Sequence, residues 1–159
     1  MEFAMVLIFF LVLCFAVMEF GWLMFAELNV QQAVDDGGRY ASTGQETSAG
    51  ARIQSIIDTI QNEISIPGVD ASNVQICSVP SGAAGPCSCS NPSDSCYNSL
   101  DKTGTAGAAG NPGDTVTLTL NASVPLLTPV LSWLLLPPTY TFTSSATFKN
   151  ESFDPSTTK

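Results

Sequence analysis

Residues 3–18 are apolar without a break, FAMVLIFFLVLCFAVM, and after Glu19 the apolar character resumes through residues 20–26. A bilayer span needs about 20 apolar residues at roughly 1.5 Å of rise each. Residues 3–26 reach that length if one carboxylate is tolerated. Further on, Val30, Ala33, Val34, Gly37, Tyr40 and Ala41 recur three or four apart, while Asp35, Asp36 and Arg39 fall on other faces. The spacing predicts one helix to about Ser42, roughly 60 Å long. Its first half must face lipid or copies of itself, because a head this small cannot bury such a rod. Gly37 and Gly38 are poor helix formers and mark the place for a kink or an early end.

After a small polar turn at residues 43–50, a second amphipathic helix is expected from about Ser48 to Ser65. Its stripe is Ile53, Ile56, Ile57, Ile60 and Ile64, suited to packing on a sheet, and Pro67-Gly68 stops it. Residues 73–79 (NVQICSV) alternate as a strand does. Residues 114–124 (DTVTLTLNASV) alternate more cleanly, with Val116, Leu118, Leu120, Ala122 and Val124 on one face. Residues 139–149 predict another strand, with Tyr140, Phe142, Ser144, Ala146 and Phe148 together. Between the first two strands, residues 80–113 are rich in Gly, Ala, Ser and Pro. Such a stretch can form little core, and a loop this long is either a displayed surface or a stapled decoration. Residues 125–138 (PLLTPVLSWLLLPP) are strongly apolar, yet too short and too rich in Pro to span a bilayer. They are either an exposed interaction patch or a loop folded onto the core. As a patch, Leu126, Leu127, Leu131, Trp133 and Leu134 are the candidate head interface.

The expected fold class is therefore α+β: a long N-terminal hydrophobic helix at 1–43 and an extracellular head at 44–159. The head has about three antiparallel strands, one packed amphipathic helix and a disulfide-rich loop at about 77–113.

Charge and cysteine content narrow the function. The 159 residues carry 14 acidic and 5 basic side chains, a net charge of -9. So acidic a surface argues against nucleic acid and against anionic lipid headgroups, both of which need Lys and Arg. The sequence has no histidine, which removes the usual general base and the commonest metal ligand. No nucleophile constellation, calcium loop or phosphate cradle assembles from the remaining residues. The expectation is a non-enzyme without cofactor or bound metal.

Cys14 stands alone in the apolar run, whereas Cys77, Cys87, Cys89 and Cys96 cluster in a polar stretch. The cluster predicts two disulfides and an oxidising compartment. Of the three pairings, the one joining Cys87 to Cys89 closes a very tight ring and ranks last; the other two stay open. Asn121-Ala-Ser and Asn150-Glu-Ser fit the N-glycosylation pattern, a short and common one.

The apolar run is preceded only by Met1 and Glu2, and the first basic residue is Arg39. A cleavable signal peptide or an ordinary signal anchor would carry basic residues before or beside it. A chain whose basic leader has been removed explains both the missing charge and the abrupt apolar start. Glu19 has two readings. Either it lies within the span and needs a partner, at a cost of about 2.5–3.5 kcal/mol near the bilayer centre, or the span ends at Met18 and Glu19 lies at the interface. Glu27, near the far end, reaches water.

MEFAMVLIFFLVL resembles the V-E-F-A-L-V-L opening of TadE-like pseudopilins of the tight-adherence pilus machinery, relatives of type IV pilins. MEFGWLMF at residues 18–25 resembles the family's I-E-F-G-R-L segment, with Trp22 in place of the common Arg. NVQQAVDDGGRYAST at residues 29–43 resembles its N-x-A-A-R-E-G-A-R-Y-A-A-T continuation, and residues 114–151 match its closing pattern loosely. The family's conserved Glu is usually the fifth residue after cleavage, whereas here the matching residue is Glu2.

The resemblance implies a structural subunit that polymerises into an extracellular filament. Phe3, Leu7, Phe10, Leu11, Phe15 and Phe20 would pack in the filament core, with Glu2 and Glu19 as charge-pairing residues. Its implied partners are copies of itself, the membrane before assembly, a prepilin peptidase and the pilus assembly machinery. Two rival expectations are a minor pseudopilin retained in the membrane and a monomeric signal-anchored binding module.

Overall fold

The computed structural model describes residues 2–44, 52–82, 87, 94–104, 106–127 and 139–152. Helix α1 spans Glu2–Ser42, 41 residues without interruption, and α2 spans Arg52–Glu63. The strands are β1 (Asp70–Val79), β2 (Ser95–Asn98), β3 (Thr103–Gly104), β4 (Thr115–Pro125) and β5 (Thr139–Lys149). They form one antiparallel sheet in the order β3-β2-β1-β4-β5.

The α+β architecture stands as the patterns predict, with a correction to the strand count. Three long strands, β1, β4 and β5, coincide with the alternating segments. The two additional strands lie within 80–113, the stretch expected to stay irregular. Their sequences, SCYN and TG, carry no alternation signal, and they exist by pairing: β2 lies along β1 with Cys77 opposite Cys96. Gly104 takes a φ of +139°, and a side chain there would run into the carbonyl of Cys96, so the β2–β3 pairing needs glycine. The stretch also supplies some core. A single 3-10 turn, Ala106–Ala109, inserts the fully buried Ala108 and the buried Ala109.

One face of the sheet carries both helices. Val116, Leu118, Leu120 and Ala122 of β4 and Val74 and Ile76 of β1 meet Ile56, Ile57 and Ile60 of α2 and Val30, Ala33, Val34 and Ala41 of α1. These are the α1 positions that the helical spacing picks out. The inward residues of β5, from Phe142 to Phe148, close the same layer. Helix propensity makes Gly37 and Gly38 look like a break, but α1 runs through them. The reason is packing. A Cβ at Gly37 would overlap the side chain of Ile60, and one at Gly38 would press on the ring of Phe148. The two glycines let α2 and β5 approach the helix, and this burial outweighs roughly 1 kcal/mol of lost propensity per glycine.

The end of α1 is tied into the head. Arg52 donates from Nη2 to the carbonyl of Ala41 at 2.6 Å and from Nη1 to that of Gly110 at 2.8 Å. Ser42 accepts a backbone hydrogen bond from Glu151 at 3.0 Å. A cation on the last carbonyls of a helix also answers its dipole.

Candidate functional site: the bare half of the helix and the base of the head

Helix α1 has two halves of different character: the first is apolar apart from Glu19, and the second is amphipathic. From Ala26 onward, one face disappears into the head core. Between Phe3 and Phe20 the described apolar side chains are exposed, apart from the half-buried Cys14. Phe3 is 79% exposed, and Leu7, Phe10, Leu11, Phe15 and Phe20 are exposed as well. The helix is long and apolar enough to cross a membrane. Leaving so much Phe, Leu, Ile and Val in water would be unfavourable by roughly 25 cal/mol per Å². A second environment, lipid or protein, is therefore built into the design.

Glu19 is the exception in the bare half. It is only 6% exposed, between the exposed Met18 and Phe20. Its Oε1 accepts the backbone N–H of Leu127 at 2.9 Å, just beyond the end of β4. The helix thus presents a bonded carboxylate, and one that reaches across to the base of the head. One turn further on, Trp22 and Leu23 pack on Ala26, Ile66 and Val124 beside Val69 and Phe142. The rings of Trp22 and Phe25 lie 6.3 Å apart. Trp22 is a contact that sequence reasoning passed over, although an aromatic residue near the end of an apolar run is a recurring sign of a membrane boundary. Glu27 is exposed, and Glu2 is the first residue of α1.

Of the head-interface candidates, Leu126 is half-buried and Leu127 is 58% exposed. Leu131, Trp133 and Leu134 lie outside the described residues, as does Cys89. The disulfide Cys77–Cys87 selects one of the two pairings left open by the sequence. Cys96 is disulfide-bonded too, with its Sγ 3.2 Å from that of Cys77, and Cys14 is free on α1. Donor atoms of Cys77, Cys87 and Asp94 gather within 4.8 Å of one another, a spacing that suits a metal. Both sulfurs are held in the disulfide, however, and a thioether-like disulfide sulfur is no substitute for the thiolate a metal needs.

The two candidate glycosylation residues differ. Asn121 sits within β4 and its Oδ1 accepts the hydroxyl of Thr143 at 2.7 Å. Asn150 is buried, and its Nδ2, the atom a glycan would take, donates to the carbonyls of Ala109 and Asn111, each at 3.0 Å. In this fold Asn150 is a latch between β5 and the 3-10 turn. An open cleft between α2 and β1 is lined by Gln61, Ile64, Val69, Asp70, Ala71 and Ser72. Its one carboxylate, Asp70, is held below the ordinary range by hydrogen bonds from the Ser72 side chain and backbone, which is turn chemistry.

The fold and this surface define a small α+β head carried on an apolar N-terminal helix of membrane-spanning length. Residues 1–39 match the family model described as TadE-like protein, so the N-terminal segment of this chain is TadE-like. Helix and match together fit a pilus-associated pseudopilin. No curated protein and no solved structure matches the chain.

Proposed function

We propose that this chain is a pilin-type subunit that polymerises into an extracellular filament. The bare halves of α1 pack side by side in the centre and the heads coat the outside. The observation that carries the reading is the division of α1: nearly all the described apolar side chains from Phe3 to Phe20 are exposed, and from Trp22 onward the helix packs one face into the head. Packing these side chains against one another keeps them out of water once the subunit leaves the membrane, which is worth roughly 25 cal/mol per Å². The contact is heterologous, one subunit's helix against different faces of its neighbours, and so grows an open filament. Glu2 pairs with the N-terminal ammonium of a neighbouring subunit and sets the register. A charge buried there unpaired would cost several kcal/mol, on the order of 3–5. Before assembly the same helix holds the subunit in a membrane. The role is structural, without catalysis.

The TadE-like match at residues 1–39 also supports a second reading, a membrane-retained pseudopilin that initiates assembly and does not form the bulk of a filament. Comparing sheared surface material from cells producing the native chain and Glu2→Ala separates the readings. The proposal expects abundant filaments containing this chain, and far fewer from Glu2→Ala although its head folds normally. Undiminished filaments from the variant would remove the role of Glu2. Traces of the chain in filaments built of another subunit would establish the second reading.

A further inference from the structure

The base of the head lies level with the apolar half of α1, not above it. The hydrogen bond from Leu127 N–H to Glu19 Oε1, 2.9 Å, fixes this. A hydrocarbon core about 30 Å thick takes about 20 residues of helix. Counted from Phe3, that length ends near Trp22, and the 16 residues to Met18 reach only about 24 Å. Trp22, an aromatic residue with an apolar body and a polar N–H, is the residue type that settles at such a boundary. Its Nε1 is buried without a hydrogen-bond partner among the described residues. Glu19 is about 4.5 Å below Trp22 along the axis. Leu127, bonded to Glu19 and 58% exposed, is therefore carried below the boundary as well. Tyr140, 44% exposed at the start of β5, sits opposite Val124, which packs on Ala26.

We propose that Leu126, Leu127 and Tyr140, beside Trp22, form a lipid-docking surface that seats the head in the interfacial zone of the membrane around α1. This deepens the functional reading and rests on α1 spanning a membrane before assembly. The surface is continuous with the span, which argues for lipid as its occupant. It has Leu for the acyl boundary, Tyr for the headgroup level, and no basic residue for anionic lipid. Its depth also keeps the Glu19 carboxylate under protein, where the Leu127 N–H replaces the water that lipid cannot supply. The head is thus held at a fixed height and tilt, and entry into a filament must exchange these lipid contacts for protein.

The test is a depth measurement on the full chain in phosphatidylcholine vesicles, with an environment-sensitive fluorophore on one thiol at a time. The native Cys14 reports on the span. Leu127→Cys and Tyr140→Cys, each combined with Cys14→Ser, report on the base of the head. Ser145→Cys, likewise combined with Cys14→Ser and on the exposed side of β5, reports on solvent. Nitroxides shallow in the acyl chains are expected to quench the probes at 127 and 140 several-fold more than the probe at 145, and aqueous iodide to do the reverse. Probes at 127 and 140 that behave like the one at 145, with Cys14 still quenched by deep nitroxides, overturn the docking surface and leave the spanning helix standing. A Cys14 probe open to iodide overturns both.

Discussion

Glu19 and Leu127 stand 108 residues apart in sequence, and the carboxylate of one accepts the backbone N–H of the other at 2.9 Å. This bond joins the bare half of the helix to the base of the head. It also answers what a carboxylate is doing inside an apolar run, since a buried acceptor with a partner avoids much of the cost of one without.

Replacing Glu19 by Leu leaves the Leu127 N–H without that acceptor. The expected loss is about 1–3 kcal/mol of head stability. Glu19→Gln keeps a carbonyl oxygen at the same reach and should lose much less. Thermal unfolding in detergent checks the pair. Equal stability of the Leu variant and the native chain would show that the bond ties nothing together.

Gly37 should not tolerate a side chain. Gly37→Val drives two methyl groups toward Ile60, which is fully buried and has no room to retreat. Overpacking of this kind costs about 1–3 kcal/mol. An unfolding midpoint at or above that of the native chain would mean that α1 and α2 are not in the contact described.

The sulfur cluster predicts a rearrangement. Cys77 and Cys96 face one another across β1 and β2 with their sulfurs 3.2 Å apart. In Cys87→Ser, the freed Cys77 thiolate is placed to attack Cys96, displacing the sulfur now bonded to Cys96 as a thiolate. Disulfide mapping should find Cys77 joined to Cys96, with the displaced cysteine taking the alkylating reagent. A Cys77 that alkylates freely in the folded variant would contradict the geometry.

Asn150 should behave as a structural residue. Its amide serves the carbonyls of Ala109 and Asn111 from a buried position. Asn150→Ala is expected to lower stability by about 1–3 kcal/mol. Mass spectrometry of the folded protein should find Asn150 unmodified even where Asn121 carries a glycan.

Much of this was legible in the sequence because it is periodic. The 3.6 repeat of Val30, Ala33, Val34, Gly37 and Ala41, and the alternation from Val116 to Val124, each name a buried face that the structure reproduces. What stayed illegible depends on distant partners. β2 and β3 have no pattern of their own and are ordered by β1 and by a glycine that lets the backbones meet. Gly37 and Gly38 read locally as helix breakers, and only Ile60 and Phe148 explain them. The sequence could rank the disulfide pairings but not choose between the last two. For Glu19, the sequence left open whether the carboxylate lies within the span with a partner or at its edge, and only the structure shows the Leu127 N–H as its partner.

Electron cryo-microscopy of filaments sheared from producing cells tests the central claim most directly. The account predicts filaments built mainly of this chain, with residues 3–25 of neighbouring subunits packed in the centre and the five-stranded heads outside. Recovery of the chain from the membrane fraction alone, with surface filaments made of some other subunit, would contradict it.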